Sequence, residues 1–350
     1  MAVHFVGPNG DISATIAGAN PGDTIRVAAG VFRENVVIHI DRVRLLGAGI
    51  GKTILDGTGL GGNGISTDAT LVTIAGFTIR DYDENGIEVD SDNNIIRDLA
   101  TLNNDFDGIE IAGDRNLIMN VVSKENGMEG IEIAGSRNYV IDSEFKNNLE
   151  DGIDVGSGDN NLIYYNKVSG NASNGITIEG ASDGNFIIGN VSENNGADGI
   201  ILNTEDNFVF RNKSNRNGEN GIDLEEVNNN LVLQNTANNN NSNGIEMHDS
   251  ARNRIVGNVV NKNNEIGIAL ILSEIEDNLI DHNNVKKNNL AGIFLSPSEV
   301  SGNAIRENKL RGNNPDIEAD SPSDTTNTFD ENNCKTSSPP GLCEHDDDDD

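Results

Sequence analysis

The sequence predicts an all-β chain wound as a single-stranded, right-handed parallel β-helix, with three-strand coils of 22–25 residues and an N-terminal cap. Three observations carry this. Gly-Ile recurs at Gly64, Gly86, Gly108, Gly130, Gly152, Gly175, Gly199, Gly221, Gly244, Gly267 and Gly292, a period that marks a solenoid. After each glycine apolar residues alternate, as in Gly108-Ile109-Glu110-Ile111, which is the period of a strand and not of a helix. Further along each repeat an asparagine precedes an aliphatic by two positions, from Asn94/Ile96 and Asn116/Ile118 to Asn278/Ile280 and Asn303/Ile305.

Residues 1–60 depart from the Gly-Ile cadence and read as the cap and first coils, with Ile12-Ser13-Ala14-Thr15-Ile16-Ala17 as a short helix over the open core. Residues 61–315 are the β-helix repeats. Their first strand turns its isoleucine and the aliphatic two places on inward, as with Val89, Ile111, Ile133 and Val155. Their second carries the asparagine-linked aliphatics. A weaker third holds Val168, Val260, Val285 and Leu310 and ends at the turn residues Asn171, Asn263, Asn288 and Asn313. The asparagines are expected to take left-handed turn conformations and to bond the equivalent asparagine one coil away. Residues 316–350 read as a polar tail where the pattern dissolves. In it Cys334 and Cys343 suit a small disulfide loop in an oxidising location, with a metal clip or two free thiols as alternatives, and Asp346 to Asp350 suit a solvated, disordered end.

Composition narrows the partners. A formal net charge of -33 excludes nucleic acid, whose phosphates need clustered cations, and disfavours an anionic polysaccharide unless a divalent cation bridges the two. Aromatics at 4% and the lack of Trp fit a thin core of small aliphatics. No apolar run reaches the roughly 18 residues of a membrane span, and the opening Met-Ala-Val-His-Phe does not read as a signal peptide. Oligomeric state is not written in the sequence.

The segments Pro21-Gly22-Asp23-Thr24-Ile25-Arg26-Val27, Gly30-Val31-Phe32-Arg33-Glu34-Asn35-Val36 and Leu45-Leu46-Gly47-Ala48-Gly49 resemble the N-terminal coil of the pectate-lyase-like and pectinesterase-like β-helix superfamily. The Gly-Ile and Asn repeats that follow are similar to the NosD-like proteins and the carbohydrate-binding and sugar-hydrolase repeat class, and the resemblance spans residues 10–315. Gly244-Ile245-Glu246-Met247-His248 resembles the Gly-Phe-Asp-Pro-His core of mannuronan C5-epimerases, with Glu246 in place of Asp, Met247 in place of Pro and Asn243 in place of the preceding Tyr. That resemblance implies catalytic roles for Glu246 and His248.

The residue after each Gly-Ile is expected to face outward: Ser66, Glu88, Glu110, Glu132, Asp154, Thr177, Ile201, Asp223, Glu246, Ala269 and Phe294. Carboxylates therefore stack in consecutive coils, and like charges about 5 Å apart repel, so the row is relieved by solvent and salt, relieved by cations, or retained for catalysis. Glu88, Glu110, Glu132 and Asp154 are the candidate substrate-binding row, with Tyr82 and Phe106 as aromatic platforms for a sugar ring. Asp107, Glu110, Glu129, Glu132, Asp151 and Asp154 are candidate ligands for Ca²⁺, the one cofactor considered, since hard cations take six to eight oxygens. The five histidines lack close metal-ligand spacing, so a transition-metal site is not expected. The reading is an extracellular or cell- or spore-surface β-helix protein binding a polysaccharide or glycan through Ca²⁺ on its acidic strand. Two alternatives stay open: a lyase, C5-epimerase or glycosidase of the same superfamily, and a structural or adhesive surface protein.

Overall fold

A computed structural model describes residues 1–297 and 299–344; the expected acidic end, Asp346 to Asp350, lies outside the described residues. The chain divides into two compact units, Met1–Ser173 and Asn174–Asp350. In both, short parallel strands follow one another around coils, and each strand pairs with its counterpart one coil on.

In the first unit the strand Val3–Val6 leads into a helix over Ile12–Ala17. Asp11 is its N-cap, accepting the Ala14 amide at 2.6 Å, and Ile12 and Ile16 are the buried side chains. The helix packs on the strands Val3–Val6, Thr24–Val27 and Val36–Ile38. The Gly-Ile strands then stack in strict register, with Ile87 opposite Ile109, Ile109 opposite Ile131 and Ile131 opposite Ile153. These isoleucines, with Val89, Ile111, Ile133 and Val155, are fully buried, as are Ile96, Ile118, Val140 and Ile163 of the second strand. Burying each aliphatic contributes about 1.5–3 kcal/mol, so the inward ladders supply the driving force for coiling.

In the second unit a Gly-Ile sheet runs through Ile176–Ala181, Ile200–Leu202, Ile222–Glu225, Ile245–His248, Ile268–Ile271 and Ile293–Leu295. The pattern does not dissolve at residue 315. Ile317–Ala319 pairs with Ile293–Leu295, Thr328–Asp330 with Ala304–Arg306, and Ser337–Ser338 with Ile317 and Glu318. The Gly-Ile cadence is lost there, yet Ile317, Ala319 and Cys334 still fill inward positions. Cys334 and Cys343 form a disulfide, with 5.3 Å between their Cα atoms.

The repeated glycine is required by space rather than by backbone torsion. A Cβ on Gly108 would lie 1.8 Å from Ser123 Oγ, and one on Gly199 would lie 1.6 Å from Ser214 Oγ, so the third strand presses directly on the start of the first. The asparagines bond from coil to coil as expected, but they do not themselves take the left-handed conformation. The residue before each one does: Arg115, Arg137, Asp206 and Arg252 precede Asn116, Asn138, Asn207 and Asn253 with φ of 56–59°. The ladder asparagine sits just inside that corner, where its buried amide must span two coils.

A further ladder, between the second and third strands, was not foreseen. Asn212, Asn235, Asn258, Asn283 and Asn308 each donate a backbone N–H to the next asparagine's Oδ1, ending at Asn332. Asn235 illustrates the load. It accepts the Asn212 amide at 2.8 Å and donates Nδ2 to the Val209 carbonyl at 2.8 Å and to Asn258 Oδ1 at 3.1 Å. Asn235→Ala strands buried backbone groups in two coils and is expected to cost about 2–4 kcal/mol in denaturant unfolding, since each orphaned group costs about 1–3 kcal/mol. Asn235→Asp should cost at least as much, because a carboxylate cannot donate. A loss below about 1 kcal/mol would remove the ladder from its structural role.

Candidate functional site

In the first unit the expected acidic row is present on the outer side of the Gly-Ile sheet. Glu88 stands opposite Glu110, Glu110 opposite Glu132, and Glu132 opposite Asp154, all half-buried. The residue just before each glycine forms a parallel ladder beside it. Asn63 Oδ1 accepts the Asn85 amide at 2.9 Å, Asn85 Oδ1 the Asp107 amide at 2.9 Å, and Asp107 Oδ1 the Glu129 amide at 3.0 Å. Where this position is asparagine, its Nδ2 steadies the outward carboxylate of the next coil: Asn63 donates to Glu88 at 2.7 Å and Asn85 to Glu110 at 2.6 Å.

At Asp107 the donor is gone and a carboxyl faces carboxyls. The Asp107 side chain lies within hydrogen-bonding reach of both Glu129 and Glu132, so this cluster must share a proton or a cation. Burial, then the charges of Glu132 and Asp107, pushes Glu110 up to about 7. Burial first, and then neighbouring carboxyls, also raises Glu88, Glu129 and Glu132. Asp107 is raised mainly by burial, and Asp151 is buried as well, so these two belong to the turn wall and not to an open face. Among the basic residues of this unit, Arg80 pairs with Asp56, Arg115 with Asp92 and Lys146 with Glu144.

The two aromatic candidates part company. Phe106 is 48% exposed in the turn before Asp107. Tyr82 is 1% exposed and donates its hydroxyl to the Glu34 carbonyl at 2.7 Å, so its ring is core and offers no sugar platform. Other surface aromatics include, on the second strand of the other unit, the exposed Phe186, which meets the half-buried Phe208 edge-on, while Phe208 stacks on Phe210 and Arg211 lies over the Phe210 ring. Their position, directly after a ladder asparagine or two residues further on, was the signal available in the sequence.

In the second unit Thr177, Asp223 and Ala269 are buried despite lying on the outward side of their strands, because larger neighbours in register and the pre-glycine turn cover these short side chains. Asp223, 6% exposed, lies between Ile201 and Glu246, and the next pair in register is Glu225 and His248. Asn220 Nδ2 donates to Asp223 Oδ2 at 3.3 Å, and Asn243 Nδ2 donates to Glu246 Oε2. Asn243, standing where a tyrosine was expected from the epimerase resemblance, thus orients Glu246. Burial holds Asp223 well above the usual carboxylate range and pushes Asp198, which accepts the Asn220 amide at 2.7 Å, up to about 7. Glu246 and His248 are therefore joined by Asp223, Glu225 and Asp198. Sequence reasoning passed over Asp198 and Glu225, although Glu225 precedes His248 by the 23-residue offset of that coil.

The sequence matches the family model described as the right handed beta helix region at residues 60–200, 129–275 and 174–343. It has no match among curated proteins. Among solved structures it is similar to the A-module of an Azotobacter vinelandii mannuronan C-5 epimerase, at 15% identity and a TM-score of 0.68 over 93% of both chains. It is also similar to a PL6 family polysaccharide lyase from Pseudopedobacter saltans, at 15% identity and a TM-score of 0.53 over 95% of this chain and 92% of that one. A periplasmic alginate epimerase matches at 14% identity and a TM-score of 0.52, over 95% of this chain and 84% of that one. Identities this low show a shared fold. Among the described residues no helix is long and apolar enough to cross a membrane.

The raised carboxyls fix a sign for pH dependence. Glu110 goes from 4.5 to about 7 in the folded state, so its contribution to stability is fully present below pH 4.5 and is lost as pH rises through 7. In chelator-treated buffer the melting temperature should therefore fall between pH 5 and pH 8. Glu110→Gln should recover part of that loss at pH 8, by about 1 kcal/mol after solvent screening, or roughly 2–4 °C, and nothing at pH 5. A flat profile, or an equal gain at both pH values, would contradict the assignment.

Proposed function

The chain belongs to the right-handed β-helix family, and we propose that it is an extracytoplasmic protein that binds an acidic polysaccharide through Ca²⁺ on the Gly-Ile sheet of its first unit. The observation that carries this reading is the row Glu88, Glu110, Glu132 and Asp154, one carboxyl per coil in register. At the strand spacing of about 4.8 Å, neighbouring carboxyls offer several oxygens to one hard cation. A bound Ca²⁺ converts a face that repels uronates into one that attracts them, and it removes the need for shared protons at Asp107, Glu129 and Glu132. Glu88 and Glu110 are aimed by the amides of Asn63 and Asn85, so the row is positioned before any ligand arrives.

Three further observations support the reading. The structures this chain is similar to include enzymes acting on mannuronan and alginate, which are acidic polysaccharides. The Cys334–Cys343 disulfide favours an oxidising compartment, where such polymers are met. Phe106, exposed in the turn next to the row, offers an apolar edge for a sugar ring.

Titration of the full chain with alginate oligomers and with a neutral glucan, in Ca²⁺ and in chelator, tests the proposal. Alginate binding should require Ca²⁺, and Glu110→Gln/Glu132→Gln should weaken it at least tenfold, about 1.4 kcal/mol. Binding that survives chelation or the double substitution overturns it. So does the appearance of cleaved or epimerised alginate in the same incubation, which would give the face a catalytic role.

A further inference from the structure

A second cluster, in the other unit, has a different donor chemistry. One oxygen of Asp223, one of Glu246 and a ring nitrogen of His248 all lie within 4.8 Å of one another. Each carboxylate has one oxygen held by an asparagine amide, from Asn220 to Asp223 Oδ2 and from Asn243 to Glu246 Oε2. What remains is Asp223 Oδ1, a buried carboxylate oxygen in a residue 6% exposed, with no hydrogen-bond partner. His248 Nδ1 is likewise buried and without a partner, while Nε2 faces Glu225 Oε1 at 3.7 Å. Leaving such atoms unpaired in the interior is unfavourable, more so for a charged group, so a partner of opposite character is called for.

We propose that Asp223, Glu246 and His248 form a binding site for a divalent transition ion of the zinc type. Ligands at about 2.0–2.2 Å from one tetrahedral ion stand roughly 3–4 Å apart, which this cluster reaches by a small closure. The mixed carboxylate and imidazole set, sunk between strands, suits such an ion better than Ca²⁺, which takes six to eight oxygens. Glu225 supplies the outer carboxylate that commonly orients a ligating histidine, here facing Nε2 so that Nδ1 is left for the metal. Asp198 is near enough to Asp223 to repel its charge, which a cation would offset.

A contrasting cluster of the same composition, Asp281, His282 and Glu307, shows what a completed group looks like. His282 meets Asp281 at 2.8 Å and Glu307 at 2.9 Å through its two nitrogens, and Arg306 lies 3.3 Å from Asp281. Both ring nitrogens are already engaged by carboxylates and Arg306 adds a cation, so it is assigned no metal.

Zinc titration of the metal-stripped full chain, by calorimetry and by melting temperature, tests the site, with Co²⁺ as a spectroscopic probe. The wild type should bind Zn²⁺ saturably, melt at higher temperature when loaded, and show visible absorption with Co²⁺. Asp223→Asn and His248→Gln should each lower zinc affinity at least tenfold and remove the cobalt spectrum. Asp223→Asn should melt higher than wild type without metal, which separates a lost ligand from a lost fold. His282→Gln and Glu110→Gln/Glu132→Gln should keep zinc binding, so failure here is distinct from failure of the polysaccharide site. Absence of a zinc response in the wild type, or one that Asp223→Asn and His248→Gln leave intact, overturns the assignment.

Discussion

A coil that turns sharply between short strands leaves peptide groups at its corners that no strand ladder can satisfy, and stacked asparagine amides take up that demand. Asn116 accepts the backbone N–H of Asn94 and passes its own to Asn138, and Asn126 does the same between Asn104 and Asn148. Asn116 and Asn126 are buried and use both the oxygen and the nitrogen of their amides, so the coil spacing is set by a side chain as well as by the sheet. With the corners satisfied, the residue just outside can be held left-handed even when it is arginine or aspartate, at a cost of about 1–2 kcal/mol that the ladder offsets. The aliphatic ladders drive collapse, but the amides decide where the chain turns.

The same logic extends to the pre-glycine ladder and there shades into chemistry. Its oxygen is structural at every step seen, accepting the amide of the next coil from Asn63 to Asn85 and from Asn220 to Asn243. The second atom of the side chain is not needed by the fold. As the Nδ2 of Asn63, Asn85, Asn220 or Asn243 it aims an outward carboxylate. As the second oxygen of Asp107 or Asp198 it turns an aiming device into an additional acid, and burial does the rest. A one-atom exchange on an unchanged scaffold thus sets how much charge each coil presents.

Much of the fold was legible because its signals repeat. Gly-Ile, the alternating aliphatics and the asparagines before Ile96, Ile118 and Val140 each recur in phase, and the buried ladders follow them residue for residue. The outward row in the first unit was legible for the same reason. Features that depend on the size of a neighbour were not. Asp223 and Glu110 occupy equivalent positions, yet the first is covered and the second half-open, and Tyr82 reads as an exposed turn aromatic until its ring is seen filling space above Gly57 and Gly64. The last coils escaped notice because Ile317–Ala319 keeps the inward side chains without the glycine that announces them.

The end of that final coil bears on solubility. Any stack of parallel strands finishes in a row of unpaired backbone donors and acceptors, which is a template for another copy of the same chain. Here the strand Ser337–Ser338 is only two residues long, Pro339 and Pro340 follow with no amide hydrogen to offer, and the Cys334–Cys343 bond ties the segment into a loop. The covalent link therefore serves as a stopper. In a compartment that kept those thiols reduced, this short segment would lose its covalent tie, and its edge would be less guarded against pairing with another molecule.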